Sequence, residues 1–360
     1  MIRSIISTLR IRTMITWGQL LMDNKVLTWN NSKLKYFVAP FLLIISLLYS
    51  YNVSNESNFI DRFVLILEHI AKFAAPFSLM AIGASLVIST GGVDLSSSGV
   101  VTLSTIITAI CYKLSGNLVL SLSIGMFIGI SSGALLGFFV TKLSSPPLII
   151  TWAWGAILIT LSILFSSGMI IDFPNPNSQT ISTQAIEYSP TMIYWGSIFI
   201  VVYTMYIIYT GIPRRACAVG ANRTAATYAG IRVNRAVFWT YVISGISSGL
   251  GGLLWFMLSG GQGSTTTFVG YELIPIAISL IGGTVLTGGY LNLFSVIVAS
   301  LFWANLELII GNIDTSNSIP DWQQKQLNLV FGVIIILIST ILGKKLSGET
   351  ITIHTEQKIK

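Results

Sequence analysis

About ten apolar, nearly uncharged stretches recur along this chain, each close to the ~20 residues that a helix needs to cross a bilayer. They lie near 34–51, 70–90, 95–112, 117–141, 147–168, 190–211, 237–258, 272–287, 290–310 and 327–343. In hydrocarbon every backbone N–H and C=O must find its partner inside the segment, which leaves helices as the fitting element. With 53% apolar and only 9% charged residues, the 360-residue chain has too little polar surface to hide such segments in water. The pattern predicts an all-α, polytopic membrane helix bundle. It divides the chain into an amino-terminal segment 1–33, a transmembrane region 34–343 and a tail 344–360.

An even number of spans puts both termini on one side. If that side is the cytoplasm, sixteen of the 20 Lys and Arg residues face it, and only Arg62, Lys72, Lys113 and Lys325 lie outside. Basic residues collect in cytoplasmic loops, so this split sets the orientation. The net charge of +7 is then a topology signal, and no nucleic-acid partner is expected. The first 33 residues are too long and too charged for a signal peptide. Ile2, Ile5, Ile6 and Leu9 share one helical face, which suits either a short helix on the inner leaflet or a flexible tail.

Glycine spacing speaks to packing. Gly125, Gly129, Gly133 and Gly137 stand four apart, and Gly245, Gly249 and Gly252 repeat the device in the seventh span. Such ladders put a smooth stripe on a helix and let a neighbour come close. Both read as packing faces.

Charges at membrane depth are costly and mark functional candidates. Glu307 shares a face with Ser300, Trp303 and Gly311. It could line an aqueous path with Trp303 as a stacking surface for a sugar ring, or sit at the outer headgroup level. Glu272 reads as a carboxylate at a helix start, and Trp152 and Trp154 as packed core aromatics, with a place on a pathway as the alternative. In "STGGVDLSSSG", Gly91 and Gly92 can end the second span with a sharp turn. Asp94 can then cap the third helix through the N–H of Ser96 or Ser97. Near the inner surface this is a structural turn beside a gate; placed deeper, it is a broken-helix site where Ser96, Ser97 and Ser98 face the path.

No enzyme constellation is present. The chain lacks a Gly-x4-Gly-Lys-Ser/Thr phosphate loop, a His-Glu pair at zinc spacing and a nucleophile elbow. Cys111, Cys217, His69 and His354 are scattered, so neither a metal site nor a redox pair is expected.

The longest basic loop, 212–236, reads "GIPRRACAVGANRTAATYAGIRVNRAVFW" with its flanks. Asn222 is a good N-cap for a short helix, and Gly230 a good left-handed residue just past its end. Ala225, Ala226 and Tyr228 on such a helix, flanked by Arg214 and Arg215, could plug into a groove of another protein, or the loop could serve topology alone.

"AVGANRTAATYAGIRV" resembles the cytoplasmic coupling segment of permeases from bacterial ABC importers for ribose, galactose and related sugars. "LVISTGGVDLS", "YELIPIAISLIGGTVLTGG" and, more weakly, "SSPPLIIT" are similar to further blocks of that family, in the expected order from about residue 70 to 340. The likeness is strongest to permeases that form half of a two-permease sugar importer, galactofuranose being one substrate class. It implies a ten-helix subunit of the inner membrane paired with a second permease. Two ATPase subunits would hold ATP and Mg, and an extracytoplasmic binding protein would deliver the sugar, so this chain itself carries no cofactor and no catalytic residue. It also implies an ATPase contact at Gly220, Asn222, Ala225, Ala226 and Gly230, with Gly91, Gly92, Asp94 and Ser96 in one signature and Gly282, Gly283 and Thr284 in another.

The sequence departs from the family pattern in places: Ser97 and Ser98 delay a glycine to Gly99, and Ile274 and Pro275 replace an acidic residue and alanine. These departures bear on substrate identity and suit a divergent member of an unequal permease pair. Import of a nucleoside, a riboflavin-like compound or a branched-chain amino acid is the alternative within the same fold, and a stand-alone secondary transporter the alternative outside it.

Overall fold

A computed structural model describes residues 59–315 apart from 144–145, 172–188, 266–267 and 269, together with a few helical positions between 40 and 47. The expected segments 1–33, 327–343 and 344–360, and most of the span expected at 34–51, lie outside the described residues.

Every regular element described is helical, apart from one isolated antiparallel bridge between Ile171 and Gly263. In chain order these are α1 (Phe59–Ser89), α2 (Ser97–Ser115), α3 (Leu118–Lys142), α4 (Pro147–Ser166), α5 (Ser189–Tyr209), α6 (Ile212–Ala221), α7 (Arg223–Tyr228), α8 (Val233–Leu258), α9 (Ile274–Ile281) and α10 (Leu293–Thr315). Helices α2, α3, α4 and α8 are long and apolar enough to cross a bilayer, and α5 with α6, bent by 60° at Thr210–Gly211, would add a fifth span. The described residues thus contain four or five such spans by length and composition.

Local chemistry accounts for the ends. Gly116 takes a left-handed conformation that closes α2, and the Asn117 side chain accepts the Leu120 N–H to open α3. Pro147 starts α4, where its missing N–H would be unpaired in any case. One expected span is cut short: the eighth, placed at 272–287, is helical only over Ile274–Ile281. Gly283, Gly288 and Gly289 all have positive φ, which no helix accommodates, and the chain instead makes a compact turn. Glu272 lies before α9 and accepts a 3.4 Å bond from the Gly270 N–H, so its carboxylate caps a loop and not the helix itself.

α1 runs through the middle of the bundle, packed against α8, α10, α9 and α5. α8 in turn packs against α3 and α2, and α4 lies on α2. The two glycine ladders meet each other: a methyl on Gly129 would come within 2.7 Å of the Gly245 carbonyl oxygen, and one on Gly245 within 2.5 Å of Gly133 Cα. Gly252 faces a different neighbour, with the Val101 carbonyl of α2 at 2.7 Å from the same added methyl. Hydroxyls lock the close approach, since Ser104 donates to the Gly125 carbonyl at 2.9 Å and Thr105 to the Gly252 carbonyl at 3.1 Å. Trp154 packs edge-on to Phe139 and donates to Ser132 Oγ at 2.8 Å, as a core aromatic should. Trp152 departs from expectation. It stands exposed on the opposite face of α4, as do Leu148 and Ile149 of the same helix.

Candidate functional site

The segments singled out in the sequence converge where α1 ends. There the Gly91 N–H bonds to the Ile88 carbonyl and the Gly92 N–H to the Val87 carbonyl, and Gly91 adopts φ +80°. The chain turns sharply there, and residues 93–96, outside any helix, return it into the bundle at α2. A methyl on Gly92 would lie 2.8 Å from the Tyr241 hydroxyl, which itself donates to the Val93 carbonyl at 3.3 Å.

Asp94 is buried on that returning segment. One carboxylate oxygen accepts the Ser96 N–H at 2.9 Å and the Ser96 hydroxyl at 2.7 Å. The other accepts the Ser244 hydroxyl of α8 at 2.6 Å. Ser96 is the N-cap of α2 and makes no side-chain cap bond to it, so Asp94 fixes the residue before the helix and ties it to α8. Ser244 lies eleven residues, or about 16 Å, along α8 from Val233. The glycine turn sits at the end of α1, while Asp94, two residues on, is held inside the bundle. Ser97 and Ser98 follow at full burial, and their hydroxyl oxygens find no hydrogen-bond partner among the described residues.

The basic loop folds as an elbow of two helices, where the sequence indicated one. Arg214 and Arg215 belong to α6, and the chain bends at Asn222 into α7. Asn222 accepts the Ala225 N–H at 2.9 Å, and Gly230 follows α7 with φ +81°, so both expected caps are in place. Ala225 and Tyr228 are exposed, Tyr228 to 88%. Ala226 is not: it is buried with Val87, Val219, Ala236 and Tyr241 and anchors the elbow to the bundle. The six-residue helix has only one inward side, and Ala226 faces it.

The tightest contact in this region escaped the sequence reading. Gly220 of α6 lies directly on the α1 turn, where a methyl group would run into the Ser89 carbonyl oxygen and come within 2.6 Å of the Gly289 nitrogen. Gly289 donates its N–H to that same Ser89 carbonyl at 2.9 Å. A methyl on Gly288 would fall 2.8 Å from the Gly91 nitrogen and 3.0 Å from Gly220 Cα. Three segments far apart in sequence thus meet backbone to backbone. Only their glycine content was legible beforehand.

Gly282, Gly283 and Thr284 precede the junction's Gly288 and Gly289 in the chain. Gly282 presses on Val296 of α10, within 2.7 Å of its Cα for an added methyl. Thr284 is buried, and its hydroxyl lacks a partner among the described residues. Trp303 and Glu307 belong elsewhere. They lie ten and fourteen residues along α10 from Leu293, about 15 and 21 Å. Trp303 donates to the Glu307 carboxylate at 3.3 Å and packs on a cluster containing Phe77, Phe268 and Ile278. That cluster also holds Tyr271, stacked on Phe77 at 5.9 Å. On the same helix, Asn305 is fully buried with neither amide atom partnered among the described residues.

No group of three His, Cys, Asp or Glu side chains among the described residues could hold a metal ion. What the site offers is mechanical: a glycine joint between an exposed elbow and the turn that leads to Asp94.

The model of the family described as "branched-chain amino acid transport system / permease component" matches residues 66–339. The chain belongs to this permease family. The match takes in α1 from Ile66, the elbow and the glycine junction together. Among curated proteins, the permease is 26% identical over 272 residues to the galactofuranose transporter permease protein YtfT of Escherichia coli K12, covering 76% of this chain and 78% of that one. It is 26% identical over 274 residues to the ribose import permease protein RbsC of the same strain, covering 74% and 82%. Among solved structures, a putative metal-chelate type ABC transporter in an inward-facing conformation superposes with a TM-score of 0.50 at 14% identity, over 88% of this chain and 98% of that one. At that identity the likeness speaks for the fold alone.

Proposed function

We propose that this permease is the membrane subunit of an ATP-driven sugar importer in the bacterial cytoplasmic membrane. It pairs with a second permease, identical or paralogous, and receives its sugar from an extracytoplasmic binding protein. Two separate ATPase subunits bind ATP and Mg and dock on the α6–α7 elbow. The single observation behind this reading is the elbow itself, exposed at Tyr228 and Ala225 yet joined at Gly220 to the backbone of Ser89 and Gly289. A push on Tyr228 or on Arg214 and Arg215 would reach the Gly91–Gly92 turn through backbone contacts, with no flexible side chain to absorb it. From there it would pass to Asp94, Ser96 and Ser97, and through Gly282, Gly283 and Thr284 to α10, which carries Trp303 and Glu307. The ten-helix count, cytoplasmic termini and the division at residues 33 and 343 complete the reading. The sugar assignment follows the named substrates of the curated relatives.

The test is assembly and stimulation. The permease co-expressed with its ATPase subunit should co-purify with it, and Tyr228→Glu should abolish that while leaving the permease folded. Ala226 is unsuited to this purpose, because its burial makes any bulky change a folding defect. In the assembled complex, a sugar-loaded binding protein should stimulate ATP hydrolysis more than a nucleoside or a branched-chain amino acid does. Normal assembly and transport by Tyr228→Glu would remove the docking role, and stimulation by the amino acid alone would replace the sugar.

A further inference from the structure

A cavity of about 550 Å³ opens between the start of α6, the α7–α8 linker and the first turns of α8. Thr210, Gly230, Arg215, Arg232, Arg235 and Trp239 are among the residues that line it. No Asp or Glu occurs anywhere between Glu187 and Glu272, so the adjoining chain supplies no carboxylate to these guanidinium groups. Arg235 and Trp239 are four residues apart on α8 and so lie on one face, the indole one turn further into the membrane. Trp239 is exposed, as are Tyr206 and Tyr209 at the neighbouring end of α5. Such a ring of exposed Trp and Tyr marks the headgroup level of a bilayer. The arginines thus sit at the depth of lipid phosphates, with aromatic rings beside them at the depth of the glycerol and upper acyl chains.

We infer that this cavity is a binding site for the phosphate headgroup of an anionic phospholipid. The guanidinium fork matches a phosphate in geometry and in charge, and basic pockets between helices at the membrane surface suit such headgroups. The aromatic ring favours a lipid over free phosphate, which would gain nothing from Trp239, Tyr206 and Tyr209. The assignment does not depend on which solute the permease carries. Arg215 and Gly230 are shared with the ATPase contact, so the test uses Arg232 and Arg235, which are not among the residues assigned to it.

The experiment uses the full chain in nanodiscs of phosphatidylcholine, with and without phosphatidylglycerol. Wild type should retain phosphatidylglycerol in native mass spectrometry and melt at a higher temperature when that lipid is present. The double variant Arg232→Gln, Arg235→Gln should bind it about fivefold more weakly for each arginine removed. It should also lose the rise in Tm, yet melt like wild type in phosphatidylcholine alone and still co-purify with the ATPase subunit. Equal melting of wild type in both lipids would overturn the site. So would unchanged lipid retention by the variant, or a matching stabilisation by inorganic phosphate. Loss of the ATPase subunit by the variant would overturn it too, by assigning the arginines to that protein contact.

Discussion

Glycine does two different jobs in two regions of this permease. Between α3 and α8, Gly129, Gly133, Gly245 and Gly249 lie inside regular helices, and their missing side chains let two backbones touch along a continuous stripe. At the end of α1, Gly91, Gly288 and Gly289 lie outside helices at positive φ, packed around Gly220 at the end of α6. The first arrangement is a long, redundant seam with interhelical hydroxyl bonds, in which every contact repeats its neighbour. The second is a point contact between the end of α1, the end of α6 and the turn at 288–289, with one hydrogen bond, Gly289 N–H to the Ser89 carbonyl, at its centre. A seam resists motion, whereas a point contact can transmit it. The difference teaches that counting glycines does not reveal their role, and that helix or turn context does.

Substitutions at three positions test this contrast. The largest effect is expected for Gly245→Leu, which drives a branched side chain into Gly133 Cα and the Gly129 carbonyl, both within 2.5 Å of the first added carbon. Overpacking of this kind costs about 1–3 kcal/mol where the surroundings can yield, and two facing backbones yield little. Folded protein should be lost, read as expression and as monodisperse elution in detergent; a normal yield would show the seam to be loose.

Gly220→Ala should act differently. The joint can open by moving the elbow away from Ser89, so the bundle should keep its melting temperature within a few degrees while transport into vesicles collapses. Equal loss of fold and transport would make the joint a second structural seam. The smallest effect belongs to Asp94→Asn, which can still accept the Ser96 N–H through its amide oxygen and donate to Ser244. Transport and Tm should stay near wild type. Asp94→Leu, in contrast, strands the three donors that meet this carboxylate, at about 1–3 kcal/mol for a buried group left unpaired. If asparagine proves as damaging as leucine, the negative charge itself is at work, and Asp94 belongs to the pathway.

Much of the local structure was readable from the residues. Apolar length placed α2, α3, α4 and α8 to within a few residues, because a helix in hydrocarbon satisfies its own backbone and needs no distant partner. Asn222 and Gly230 marked the ends of α7 for the same reason: a cap bonds to residues three or four positions away. The misreadings were of two kinds. The span expected at 272–287 is mostly turn, since glycines that look harmless in an apolar run hold positive φ once the chain packs against Ser89. Ala226 and Trp152 were assigned the wrong faces, because which side of a helix is inward depends on the neighbour it meets.

The sequence alone therefore determined the solvent this chain folds in, its helical class and the ends of its best-marked helices. These follow from short-range bonds and from the cost of exposing peptide groups to lipid. Tertiary structure alone decided that Asp94 binds a serine 150 residues away and that Gly220 rests on Ser89 and Gly289. No local pattern encodes such contacts; they arise when side-chain-free surfaces on separate segments are the ones that fit together.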